Sequence, residues 1–237
     1  MQYIKYASNK YSQNGEDGIL LKIFEKLDTL LNDQKVCVEF GSWDGIYLSN
    51  TFQFVENGWK CIAIEGSKKR FKELQNTSKK YNNIVPILKF IDANPNSKNS
   101  LNQVLIENEV KEDFELLSID VDGKDLEIWD AYKGRPKIVV IEINSYIRPT
   151  IEQRFNGFNH GSSFKSTLKV GLKKGYTLVC HTGNMIFARN DLVPFLDLDK
   201  EDILDPNRLF QDKWINTPKP NKLIEKTYSL FIKKFFN

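Results

Sequence analysis

Short apolar runs recur along this chain, and between most of them lie segments whose apolar positions return every three or four residues. Val36–Phe40, Lys60–Glu65, Ile84–Ile91, Leu116–Ile119 and Ile138–Ile141 read as strands. The spacing predicts helices over about 16–31, 48–57, 68–80, 100–110 and 162–174. Strand and helix in alternation imply a parallel sheet covered on both faces. Near the end, Tyr176–Cys180 and Met185–Arg189 flank Thr182-Gly183-Asn184, the pattern of an antiparallel hairpin. The expected fold is therefore α/β, a doubly wound Rossmann-like sheet of mostly parallel strands with a C-terminal antiparallel hairpin. No Pro/Gly/Ser-rich linker divides the chain. It reads as a core over 36–195, an N-terminal segment and helix over 1–35, and a C-terminal extension over 196–237.

Composition narrows the function classes. Against 34 basic and 31 acidic residues the net charge is only +3, and the basic residues read as spread along the chain, so charge does not indicate a nucleic-acid partner. Cys37, Cys61 and Cys180 each fall inside a predicted strand without CxxC spacing, which suits small buried core residues and a reducing cytoplasm. The sequence has neither an apolar N-terminal leader nor a run of about 18 apolar residues, so no signal peptide or membrane span is expected.

The most informative stretch is Glu39-Phe40-Gly41-Ser42-Trp43-Asp44-Gly45, a strand running into a glycine turn that is expected to open a helix. Such a turn lets a ligand approach the backbone, and a helix start offers unpaired N–H groups. The next strand ends at Glu65, whose carboxylate can accept from both hydroxyls of a ribose. A dinucleotide fingerprint would carry a middle glycine. Its absence, with Glu39 alongside, disfavours a pyrophosphate and favours a ligand with an ammonium group.

In an open parallel sheet the ligand lies beyond the carboxyl ends of the strands, where Glu39, Glu65, Asp92, Asp120, Asp122, Glu142 and Asn144 all fall. So many acids on one rim are costly without a positive group among them, because like charges in a cleft raise one another's pKa or demand a cation. Asp120, Glu142 and Asn144 form an oxygen-rich set suited to Mg²⁺ or Mn²⁺. Asp120 and Asp122 are also candidate catalytic carboxylates. Of the two histidines, His160 in a glycine-containing loop is the better general base, and His181 lies at the hairpin tip. Arg148, Arg154 and Lys124 are candidate grips for a substrate phosphate or carboxylate. Ile224, Tyr228, Phe231 and Phe235 stand at helical spacing in the C-terminal segment, which can pack on the domain, pair subunits into a homo-oligomer or lie on a membrane surface.

The acid-x-Gly-x-x-x-Gly turn resembles the first motif of class I S-adenosylmethionine-dependent methyltransferases. Together with it, Tyr11-Ser12-Gln13-Asn14-Gly15-Glu16-Asp17, Gly58-Trp59, Ile119–Asp125 and Val140-Ile141-Glu142 resemble the FkbM-type members, which methylate hydroxyls of sugars and other metabolites. The resemblance implies that Glu39, Gly41, Ser42, Asp44 and Gly45 surround the methionine part of the cofactor, with Asp120 beside them. It further implies that Glu65 holds the ribose, that Asp92 and Ala93 read the adenine, and that Gln13 belongs to a segment folding over the cofactor. The implied activity is O-methylation of a sugar, nucleotide-linked sugar or related small metabolite in surface-glycan, capsule or specialised-metabolite synthesis. One departure stands out. Many members carry Asp-x-Glu-Gly-x-Glu where this chain has Asp120-Val121-Asp122-Gly123-Lys124-Asp125, each later carboxylate being one methylene shorter. The rival readings are an NAD-dependent nucleotide-sugar enzyme, opposed by the missing glycine and by the lack of a Tyr-x-x-x-Lys pair on a suitable helix, and an inactive cofactor-binding scaffold.

Overall fold

The computed structural model describes residues 3–158 and 161–216. His160 and the segment Leu223–Phe236 lie outside the described residues. Seven strands form one sheet: β1 (Val36–Phe40), β2 (Lys60–Glu65), β3 (Ile84–Leu88), β4 (Leu116–Ile119), β5 (Ile138–Glu142), β6 (Tyr176–His181) and β7 (Asn184–Arg189), in spatial order 3-2-1-4-5-7-6. The first five strands run parallel, and β7 inserts antiparallel between β5 and β6. This is the α/β arrangement expected from the sequence.

Alternation along each strand sorts the core into two layers. Cys37, Ala63 and Val140 face helices α1 (Glu16–Leu27), α2 (Phe52–Glu56) and α3 (Lys68–Lys80), which contribute Ile23, Phe54 and Leu74. Val38, Ile62, Leu117 and Val139 face α4 (Leu101–Glu107), α5 (Asp125–Ala131) and α6 (Phe164–Lys173), with Trp129 and Phe164 fully buried among them. Two short helices, α7 (Lys200–Leu204) and α8 (Lys213–Asn216), follow the sheet. Cys37, Cys61 and Cys180 are buried free thiols.

Several boundaries differ from the sequence reading. No helix follows the glycine turn directly; residues 41–51 form an irregular loop and α2 begins only at Phe52. The third strand stops at Leu88, so Asp92 lies four residues beyond it rather than at its tip. Helix α5 has no counterpart among the helices expected from the sequence.

One backbone contact fixes how closely β1 and β4 end together. Gly41 has φ +83°, and a Cβ there would stand 1.6 Å from the Asp120 carbonyl oxygen. No rotamer change relieves a backbone overlap. Gly41→Ala is therefore expected to destabilise the fold by about 3 kcal/mol or more, combining left-handed strain with overpacking. Urea denaturation checks this, and a loss below about 1 kcal/mol would mean the two loops separate freely.

Candidate active site

Strand register places the rim residues in a row. Phe40 pairs with Ile64 and with Ile119, Ile119 with Ile141, and Glu142 with Asn184. One residue further on, Glu65, Gly41, Asp120, Glu142 and Asn184 follow one another across β2, β1, β4, β5 and β7. The sequence-predicted acids thus meet at one sheet end, on the side covered by α1–α3. Glu39 and Ser118 stand paired one layer beneath.

The Gly41–Thr51 loop owes its shape to two acids that take its amide hydrogens. Glu39 is 5% exposed. Its Oε2 accepts the Ser49 (2.7 Å) and Thr51 (3.0 Å) hydroxyls and its Oε1 the Asn50 amide (2.9 Å). Burial raises the Glu39 pKa, and these three donors only partly offset it. Asp44 accepts from the amides of Ile46 (2.9 Å) and Tyr47 (2.7 Å). The residues that would have formed a first helical turn are thereby spent on carboxylates, which is why the expected helix starts late. Gly41 and Ser42 both donate to the Ile64 carbonyl, at 3.1 and 3.2 Å, and Gly45, with φ +81°, packs under Leu74. Free helix-start amides are therefore not what this turn presents.

Glu65, 4% exposed, accepts the Trp43 amide on one oxygen (2.9 Å) and the Ser67 amide on the other (2.6 Å). Each oxygen retains a second lone pair. Trp43, with φ +49°, lays its ring under the Arg70 guanidinium at 4.0 Å and donates from Nε1 to Glu73 at 3.2 Å. Asp92 bridges to Ser100 and accepts the Asn94 amide at 3.0 Å, which lowers its pKa. It forms a turn, with Ala93 half-buried after it. Phe90, which pattern reading passed over, is 74% exposed and lies over Gly66 beside Glu65.

Asp120, Asp122 and Glu142 bring one carboxylate oxygen each within 4.8 Å of the others. Asp120 opens to solvent, yet the protein around it and the adjacent Asp122 push its pKa up to about 6, and a hydrogen bond with Glu142 draws it back. Burial, then the charge of Asp120, lifts Glu142 well above the usual carboxylate range. Two such groups titrate as a pair. Behind them Asp125 accepts the amides of Val121 (2.7 Å) and Gly123 (2.8 Å), fixing a turn in which Asp122 adopts φ +58°. Burial and the nearby Asp120 push Asp125 up to about 7. Asn144 accepts the Tyr146 amide at 3.2 Å. Arg154 is held by Glu127 and Asp130, so the anticipated substrate grip is engaged within the protein.

The segment before α1 is built on its two acids. Asp17 accepts from the amides of Lys10, Tyr11 and Ser12 at 2.7–2.8 Å. Glu16, fully buried, accepts from the Asn14 amide (2.7 Å), the Thr182 hydroxyl (2.6 Å) and the Asn184 side chain (3.0 Å). It thus clamps the segment to the hairpin at the end of the rim row, leaving Gln13 exposed. Nothing in the spacing of the sequence marked Glu16 for this role.

His181 is fully buried rather than at an open tip. It stacks on Phe210 with ring centroids 4.8 Å apart, and its Nδ1 accepts the Gln211 amide at 3.0 Å. The proton therefore sits on Nε2, facing the Ser145 hydroxyl at 2.8 Å, which in turn donates to the Gly183 carbonyl.

No family model matches the chain, and no curated protein sequence matches it. Among solved structures it is similar to M. capricolum TrmK in complex with S-adenosyl-homocysteine, at 14% identity over 76% of this chain and 73% of that one, with TM-score 0.44. It is also similar to the CcbJ methyltransferase of Streptomyces caelestis (9%, covering 75% and 90%, TM-score 0.43) and to precorrin-6y C5,15-methyltransferase of Geobacter metallireducens (14%, covering 77% and 91%, TM-score 0.42). Likeness at this level assigns no residue a role.

Burial presses the His181 pKa down to about 3, so the fold binds only the neutral ring. The unfolded chain takes up its proton near pH 6.5, and stability is lost as pH falls from there toward 3. Between pH 7 and 4 this contributes about 3 kcal/mol of loss. Urea denaturation of wild type and His181→Gln across that range is expected to show a shallower pH dependence in the variant. Equal slopes would remove His181 from the acid sensitivity.

Proposed function

We propose that this chain is an S-adenosylmethionine-dependent methyltransferase acting on a hydroxyl of a sugar, nucleotide-linked sugar or related small metabolite. The observation that carries the reading is the rim row Glu65–Gly41–Asp120–Glu142 across the centre of a 3-2-1-4-5-7-6 sheet. The sugar class rests on the sequence resemblance, together with the many acceptor oxygens on the rim, which suit a polyhydroxylated partner.

The residues fit this cofactor by charge and by donor type. A cluster of three carboxylates within 4.8 Å favours a sulfonium and an ammonium beside it. Glu65 retains one lone pair on each oxygen for a ribose diol, and exposed Phe90 offers an apolar surface next to it. Gly41, Ser42, Asp44 and Gly45 shape the turn, with Glu39 supplying negative charge from below. The sequence resemblance adds Asp92 and Ala93 on the adenine side and Gln13 in the covering segment. Bound there, S-adenosylmethionine supplies a methyl carbon activated by positive sulfur.

What remains for the protein is alignment and removal of one proton. The Asp120–Glu142 pair holds a proton near neutrality, and its remaining negative charge can accept the acceptor's hydroxyl proton as the methyl moves, with Asp122 orienting the acceptor. His160 is the other proposed base. The same carboxylates suit Mg²⁺ or Mn²⁺. Loss of turnover on EDTA treatment, restored by Mg²⁺, assigns that metal; unchanged turnover leaves the acids to cofactor and acceptor.

Two measurements test the reading. Glu65→Ala is expected to weaken S-adenosylmethionine binding by about 1.5–3 kcal/mol in calorimetry; binding of NAD instead would move the chain to the dehydrogenase class, and binding of neither would leave a scaffold. Wild-type turnover should rise with pH through about 6, as the Asp120 carboxylate forms. Asp120→Asn should lower turnover roughly 10²- to 10⁴-fold and remove that limb. A comparable loss in His160→Ala, with Asp120→Asn active, would assign the base to His160.

A further inference from the structure

Helix α3 is strongly basic. It holds six basic residues and one acid, a net +5 in a chain of net +3, so everything else sums to −2. The sequence impression of evenly spread basic charge is corrected here. Its first turn contains Lys68, Lys69 and Arg70 and no acid, an arrangement the helix dipole opposes. Arg70 and Glu73 turn toward Trp43. Lys68, Lys69, Lys72, Lys79 and Lys80 are all exposed, and none forms an ion pair with a described residue. At 100° per residue these five occupy one arc of roughly 120°, opposite buried Leu74 and Thr77, along roughly 20 Å of helix.

Beside this face the sheet ends at β3, and two apolar side chains stand out from it. Leu88 is 40% exposed and Phe90 74%, the latter lying over Gly66 next to Ser67, the N-cap of α3. Exposed apolar side chains beside a row of lysines suit an anionic surface that can take both. A nucleic-acid strand is served better by a groove that tracks its backbone and by forked arginine donors, and this face offers lysine point charges only. Lysine stems lie along apolar surface while their heads reach charged headgroups.

We propose that the α3–β3 edge docks on an anionic lipid bilayer, with the five lysines over the headgroups and Phe90 and Leu88 at the interface. No described helix is long and apolar enough to cross a membrane, so this contact is peripheral. The proposal does not depend on methyl transfer, and its readout needs neither cofactor nor turnover.

The test is co-sedimentation of the full chain with vesicles of phosphatidylcholine alone or with about 30% phosphatidylglycerol, at about 100 mM salt. Binding is expected only to the anionic vesicles and should fall steeply as salt increases. Lys79→Gln/Lys80→Gln should weaken it roughly thirtyfold and Lys68→Gln/Lys69→Gln/Lys72→Gln roughly a hundredfold. Phe90→Ser should weaken it at unchanged net charge, while Lys233→Gln/Lys234→Gln in the C-terminal segment should stay within about threefold. Circular dichroism verifies folding of each variant. Failure of wild type to bind anionic vesicles overturns the proposal, as does wild-type binding by both α3 variants. Preference for a single-stranded RNA oligonucleotide over vesicles would replace the bilayer with nucleic acid.

Discussion

Repulsion among carboxylates is the constraint around which this molecule is organised, because Asp120, Asp122 and Glu142 converge at the end of a sheet with Glu16 and Asp125 behind them. Like charges at such distances either share protons, find amide donors or recruit a cation. Within the protein the first two are at work. Burial and mutual charge raise the pKa values of Asp120 and Glu142, which favours proton uptake there, while Asp125 and Glu16 are wrapped in donors from neighbouring loops. The unanswered remainder faces the open side of the rim, and that is where a cationic ligand gains most.

The same economy explains the loop after β1. A glycine turn at the end of a strand is generally read as an offer of free amides to a ligand. Here Glu39, Asp44 and Glu65 have claimed most of those amides for themselves. The loop gains rigidity, and what it and its surroundings present outward is carboxylate lone pairs and the exposed ring of Phe90 rather than free backbone N–H groups.

Much of this was legible in the order of residues. Strands β1, β2 and β4 and helix α3 follow from apolar runs and helical spacing alone, and parallel connection forces the strands' terminal acids onto one rim. What periodicity does not carry is partnership. Glu16 reads as an ordinary first-turn helix acid, and only the return of the hairpin reveals that its partners are Thr182 and Asn184. His181 sits at a turn, where solvent is the usual neighbour, and the packing of Phe210 and Gln211 against it depends on a segment thirty residues later.

The Glu16 clamp also bears on the order in which the site assembles. Two of its three donors lie 166 and 168 residues further along the chain. During synthesis the carboxylate must stay hydrated through the folding of all five parallel strands, since burying it earlier would strand a charge without partners. Only when the β6–β7 hairpin emerges and docks between β5 and solvent does the N-terminal segment acquire its seat. Contacts of such separation close late and cost loop entropy before they return any stability. The rim is therefore completed by the last strands to leave the ribosome, so a prematurely terminated chain can possess the glycine turn and the acids while lacking the frame that aligns them.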